Sequence, residues 1–229
     1  MQQLEPTYDK KLECKVCKKS FTTKKLRSRF VKVSSYDTDF CPSYSAEGMN
    51  PLYYHIHTCP HCGFSESEDF SPYFPPGALE LIKLKVADVW KPHDYSRERS
   101  ITDAISTYKL AVYCGTLKKE KHLILAGLYM RLAWMYRSLK NTEQEQRFMK
   151  LAIKEYLESY MADDFRGSPV SETRLFYLVG ELSKRTQQIE QAIKYFSKVI
   201  EKRSQEPKLI EMAREQWYEM RAEQKSAVN

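Results

Sequence analysis

Two short cysteine pairs constrain this chain more than anything else in it: C14-K-V-C17 and C59-P-H-C62. A C-x-x-C turn points both sulfurs to one side. Two such turns facing each other form a tetrahedral four-sulfur site, the closed coordination that structural zinc prefers. The alternative is a redox dithiol, which needs a long helix opening at the second cysteine. Here Cys62 is followed by GFSESEDFSP, where no helix is expected to start. The reading is therefore structural Zn2+ held by Cys14, Cys17, Cys59 and Cys62. Gly63 follows the second pair, where the chain turns with positive φ. Lys18 holds the equivalent place after the first pair, a less favourable residue for that turn. Lys15, Lys18 and Lys19 flank the first pair and would favour thiolates. Phe21 is placed to pack beneath the site.

The remaining cysteines and histidines divide by context. Cys114 sits on a helix face with Ala111 and reads as core. Cys41, in DFCPSY, is open to three readings: a buried small hydrophobe, an alternative ligand or a reactive thiol. His55 and His57 alternate on a strand leading into the site and could serve a second metal. His61 lies inside the knuckle, where it cannot easily share a metal with both neighbours.

Chain length and composition place the module in a larger frame. The 229 residues, 42% hydrophobic and 29% charged, suffice for one large or two smaller domains with real cores. No apolar run approaches the ~18 residues of a membrane span. The first residues lack an apolar signal region, so a cytoplasmic location is expected. In reducing cytosol, paired cysteines more often bind metal than form disulfides.

Grammar changes along the chain. Residues 1–70 read as short strands and turns, with period-2 character at 29–37 and 52–59 and a turn-rich stretch between. Residues 71–78, rich in proline, read as a linker. From Leu79 onward the pattern is helical, with helices expected near 78–90, 97–114, 120–139, 142–160, 170–186, 188–203 and 207–226. Expected caps are Thr142 with Glu145, Ser168 before Pro169, and Pro207 in the last first turn. A small–aromatic–small spacing recurs at Ala104, Tyr108, Ala111 and at Ala192, Phe196, Val199, with Glu145, Met149, Ala152 as a degenerate copy. Leu132, Ala133, Tyr136 and Phe176, Val179, Gly180 are their partners on the preceding helices. The copies lie 41 and 47 residues apart, longer than the ~34 of a standard tetratricopeptide hairpin. The last helix closes the stack through Leu209, Met212, Ala213, Trp217 and Met220.

The fold expected is α+β, mostly α: a small zinc-ribbon-like β module over 1–70, a linker over 71–78, and a tetratricopeptide-like stack of about seven antiparallel helices over 79–229. No phosphate loop, H-E-x-x-H or nucleophile elbow is present, and a four-sulfur site leaves no open coordination position. A non-enzymatic scaffold that binds a protein partner through the helical groove is the leading functional expectation. No small-molecule substrate is evident. The first alternative is nucleic-acid binding. Residues 10–32 carry ten Lys/Arg against the single acid Glu13, while residues 33–70 carry no Lys or Arg and six acids, among them Asp37, Asp39, Glu66, Glu68 and Asp69. The bland reading of that asymmetry is two halves lying together and offsetting each other. The second alternative is a redox sensor built on Cys41.

Several blocks together resemble a known family. They are C-x-V-C, KKLRS (24–28), DTDFCP (37–42), NPLYY (50–54), CPHCG (59–63), LAGLY-x-RLAW (125–134), GEL (180–182) and MAREQW (212–217). This combination resembles a bacterial uncharacterised family, domain of unknown function 2225. The resemblance implies a cytoplasmic bacterial protein with a zinc-ribbon-like start and tetratricopeptide-like helices. It supplies no activity, and it draws Cys41 into the family's pattern.

Overall fold

A computed structural model describes residues 4–45, 50–202 and 206–228, with side chains through Ala222. Residues 46–49 of the turn-rich stretch and the end of the helix expected at 188–203 lie outside the described residues. The chain divides into two compact units. One is Met1–Tyr36 with Pro42–Glu120; the other is Asp37–Cys41 with Lys121–Asn229.

The first unit is built on antiparallel hairpins. Strands β1 (Thr7–Glu13) and β2 (Ser20–Leu26) pair from Thr7 opposite Leu26 to Glu13 opposite Ser20, so CKVCKK forms their turn. β3 (Val33–Tyr36) pairs with β4 (Pro42–Tyr44), with a register shift between Val33 and Ser35. β5 (His57–Thr58) pairs with β6 (Ser65–Glu66), enclosing CPHCGF. The strand expected over 52–59 shortens for a local reason. Asn50 accepts a hydrogen bond from the Leu52 amide and Pro51 opens a 3-10 turn through Tyr54, leaving two residues for β5. In the same way a 3-10 turn over Ser28–Phe30 takes the start of the stretch expected at 29–37.

The proline-rich stretch and two helices belong to this unit too. Phe74 packs its ring 5.9 Å from Phe64. Helix α1 (Ala78–Ile82) continues as a π-helical turn, Lys83–Ala87, and α2 spans Ile101–Lys118. Ile82, Val86 and Cys114 share a buried cluster with Cys14, Val16, Cys59, Cys62 and Phe64. The helices thus supply apolar cover that short hairpins cannot provide themselves, and the compact unit runs on through the stretch expected as a linker at 71–78. α2 begins with a capping box: Ser100 accepts from the Asp103 amide, and Asp103 accepts from the Ser100 amide.

Buried cations tie the loops. Arg99 donates to the Tyr53, Ile56 and Tyr95 carbonyls and to Thr23 Oγ1. Burial pulls its pKa down to about 10. Lys118 reaches the Ser71 carbonyl and the Glu120 carboxylate, with the Phe74 ring centroid 4.8 Å from its ammonium.

The second unit holds α3 (His122–Ser138), α4 (Thr142–Met161), α5 (Glu172–Arg185), α6 (Ile189–Glu201) and α7 (Pro207–Val228). Consecutive helices pack against each other. Ala133, Ala152, Val179, Ala192 and Phe196 are fully buried, as their small–aromatic spacing requires. A Cβ on Gly180 would lie 2.9 Å from the Phe196 ring, so glycine there lets α5 and α6 approach. Two caps differ from those read in the sequence. Asn141, not Thr142, accepts from the Gln144 amide; Ser171, not Ser168, accepts from the Arg174 amide. Each is a better-placed oxygen one or three residues upstream or downstream of the expected one. Ser168 instead closes a turn onto the Val170 amide.

Candidate metal centre and a seated acidic segment

The two knuckles are built alike. In the first, the Cys14 carbonyl accepts from the Lys18 amide at 2.9 Å and the Cys14 amide donates to the Lys19 carbonyl at 3.0 Å. In the second, the Cys59 carbonyl accepts from Gly63 at 2.8 Å and the Cys59 amide donates to Phe64 at 2.9 Å. Both need a left-handed residue after the second cysteine: Gly63 has φ 71° and Lys18 φ 61°. Lysine tolerates that conformation at a cost of roughly 1–2 kcal/mol. Gly63 has a second constraint, because a Cβ there would fall 2.3 Å from a Trp90 ring carbon. Trp90 lies across this turn and donates its indole N–H to the Pro60 carbonyl at 2.9 Å.

These turns bring the four sulfurs within 4.8 Å of one another. Cys14 Sγ lies 3.5 Å from Cys62 Sγ, and Cys17 Sγ lies 3.7 Å from Cys59 Sγ. Four sulfurs set about 2.3 Å from a central zinc are about 3.8 Å apart. The spacing therefore fits a tetrahedral ion, and it is far from the ~2.05 Å of a disulfide. Cys14, Cys59 and Cys62 are buried and Cys17 half-buried. Hydrogen bonds from Cys14 and Cys62, aided by the His61 and Cys62 amides, pull the Cys59 thiol down to about 4. Hydrogen bonds to Cys14 and Cys59 push the Cys62 thiol up. Phe21 packs against this cluster.

The other candidates fall elsewhere. Lys15 pairs with Glu66 at 2.7 Å. His55 and His57 join no comparable ligand cluster among the described residues. Burial pulls the pKa of His57 down to about 4. Cys114 is buried and accepts from the Ser65 amide. The Cys41 thiol is pushed up to about 12 by burial and the Asp39 charge, so it lacks the thiolate character of a reactive cysteine. Four lysines of the basic stretch are engaged: Lys10 and Lys25 with Glu68, Lys15 with Glu66, Lys24 with Asp9. Hydrogen bonds from Lys10 and Lys25 hold the Glu68 carboxyl down at about 2.

A second constellation lies in the helical unit, where residues 37–41 are seated. Asp39 is fully buried. It accepts from Arg137 Nη2 at 2.7 Å, Arg137 Nη1 at 3.2 Å, Trp134 Nε1 at 3.0 Å and the Cys41 amide at 3.1 Å. Asp37 pairs with Arg137 at 2.9 Å and Arg185 at 2.7 Å. Desolvation raises its pKa, but the Arg185 hydrogen bond, the Thr38 amide and both guanidinium charges outweigh this and leave it lowered. The Thr38 carbonyl accepts from Tyr177 at 2.9 Å, and its hydroxyl donates to Glu181 Oε1. Phe40, at φ 63°, lies 5.5 Å from the Tyr177 ring and under the Arg174 guanidinium. DTDFCP is a distinctive block in the sequence, but its partners in the helices leave no local signal there.

Among the described residues, no helix is long and apolar enough to cross a membrane. Fold and site together define a mostly helical protein whose small β module carries a four-cysteine group, three of its members buried. A sequence profile described as uncharacterized protein conserved in bacteria (DUF2225) matches residues 7–220, and the chain belongs to that family. No curated protein and no solved structure matches it.

Proposed function

We propose that this protein is a non-enzymatic, zinc-stapled scaffold of the bacterial cytoplasm that binds a protein partner through its helical unit. Cys14, Cys17, Cys59 and Cys62 would hold one Zn(II), which supplies a covalent-like cross-link between the β1–β2 and β5–β6 turns. All four positions around the ion would be filled by sulfur, which leaves none for substrate. The observation that carries the partner-binding half is the seated segment. The helices already hold a tight hairpin turn, Asp37–Cys41, by a buried carboxylate, a backbone carbonyl and an aromatic side chain. A surface that grips a turn in this way suits recognition of a peptide segment.

Elemental analysis of purified protein should return one zinc per chain, and a strong chelator should unfold the first unit. A photo-crosslinking residue at Tyr218, exposed on α7, should capture a single specific protein in the native host, whereas one at Arg166 should not. Metal well below one equivalent, or no partner specific to the Tyr218 position, overturns the corresponding half of the reading.

A further inference from the structure

Beside the seated segment, α5, α6 and α7 enclose an open cleft of about 470 Å³, whose lining includes Thr38, Glu181, Lys184, Gln187, Gln216 and Glu219. That volume lies within the usual range for ligand pockets, about 300–1,000 Å³. Glu181 is the unusual member. Its side chain is 2% exposed. Oε1 accepts from Thr38 Oγ1 at 2.5 Å and Arg185 Nε at 2.7 Å, while Oε2 is buried and accepts from no donor among the described residues. An ionised carboxylate has about four acceptor positions, and a buried oxygen without a donor costs about 1–3 kcal/mol. A native structure that keeps such an oxygen at the wall of a cleft calls for a donor from outside.

The charged residues lining the cleft are Glu181 and Glu219 against Lys184 and Arg185. Arg185 is already engaged by Asp37 and by Glu181 Oε1, and Lys184 by Glu219, so Glu181 Oε2 is the acceptor left without a donor there. The cleft also contains its own demonstration of ammonium binding: Lys184 Nζ is held by Gln216 Oε1 at 2.7 Å and Glu219 Oε2 at 2.8 Å.

We propose that this cleft is a recognition pocket for one basic side chain, lysine or arginine, of a protein partner, with Glu181 Oε2 as its buried acceptor and Glu219 with Gln216 at its mouth. The inference rests on the scaffold reading and names the chemistry its partner presents. Because Thr38 both lines the cleft and belongs to the seated segment, a chain delivering that side chain would run beside a hairpin turn already in place. Lys184 competes for the same two mouth groups, so its removal should favour the incoming cation.

The test uses the full chain, titrated calorimetrically with acetyl-Gly-Lys-Gly-amide, its norleucine analogue and putrescine. The lysine peptide should bind at least 10-fold more tightly than the norleucine peptide. Glu181→Gln should weaken it about 10-fold or more, while Lys184→Met should strengthen it several-fold, with unchanged circular dichroism in both. The two variants act in opposite directions, so general loss of structure cannot imitate the pair. Equal binding of the norleucine peptide overturns the pocket, as does binding of putrescine without the peptide, or weakening by Lys184→Met. A protein captured at Tyr218 whose capture survives Glu181→Gln also sinks the pocket, yet leaves the scaffold reading standing.

Discussion

Replacing Asp39 by asparagine is the most searching perturbation of the helical unit. The substitution keeps shape and removes charge. The wild-type carboxylate is fully buried and takes two guanidinium hydrogen bonds, at 2.7 and 3.2 Å, one indole hydrogen bond and one amide hydrogen bond. Arg137 is only 23% exposed, so its charge would lose its most buried counter-ion with little water to replace it. Breaking a buried pair from one side costs about 3–5 kcal/mol. With an m-value of about 2 kcal/mol per molar urea for a unit this size, the midpoint should fall by about 2 M. Urea unfolding should be followed through the indole N–H resonance of Trp134, which reports the second unit directly. The surface pair Asp163–Arg166, whose arginine is 76% exposed, supplies the control: Asp163→Asn should change stability by about 1 kcal/mol or less. An Asp39→Asn midpoint no different from that control would refute the view that residues 37–41 hold this unit together.

Other predictions concern the first unit and Cys41. Gly63→Ala should destabilise by about 2–4 kcal/mol in denaturant, combining left-handed strain with the overlap against Trp90; Lys18→Gly should be neutral or stabilising by up to about 1 kcal/mol. Cys14→Ser should lower bound metal below half an equivalent and render the first unit susceptible to proteolysis, measured by elemental analysis and limited digestion. Cys41, with its thiol pushed up to about 12, should react with iodoacetamide at neutral pH roughly a thousandfold more slowly than a free cysteine, read by mass spectrometry of the folded protein. The Glu68 carboxyl, lowered in the folded state to about 2, gives stability that is present above the ordinary glutamate range and lost as pH falls towards 2; NMR titration should find its midpoint there, moving upward in high salt.

The sequence made the sulfurs legible because a C-x-x-C turn is local: four residues fix both their spacing and their direction. The seven helices were legible for the same reason, since apolar spacing of three and four is read within a few turns. What could not be read was long-range. Short strands β5 and β6 are two residues each, too brief for any alternation to show. Trp90 covers Pro60 from 30 residues away, and Arg99 gathers carbonyls from an aromatic stretch that looked like a plain strand. The proline-rich stretch reads as a spacer by composition, yet Phe74 makes it part of a core. Asp37 and Asp39 looked like members of an acidic run offsetting a basic one. Their actual partners, Arg137 and Arg185, were invisible because ion pairing over such distances leaves no periodic trace.

Synthesis proceeds from the N-terminus, and this places Asp39 in an awkward position in time. Its guanidinium partner is 98 residues further along the chain, and the arginine that grips Thr38 is 147 residues beyond it. At bacterial translation rates of about 5–20 residues per second, the acidic tip waits several seconds on the ribosome before the helices that will enclose it exist. Any fragment that starts at Lys121 would omit the tip altogether and ask Arg137, Arg185 and Trp134 to do without it.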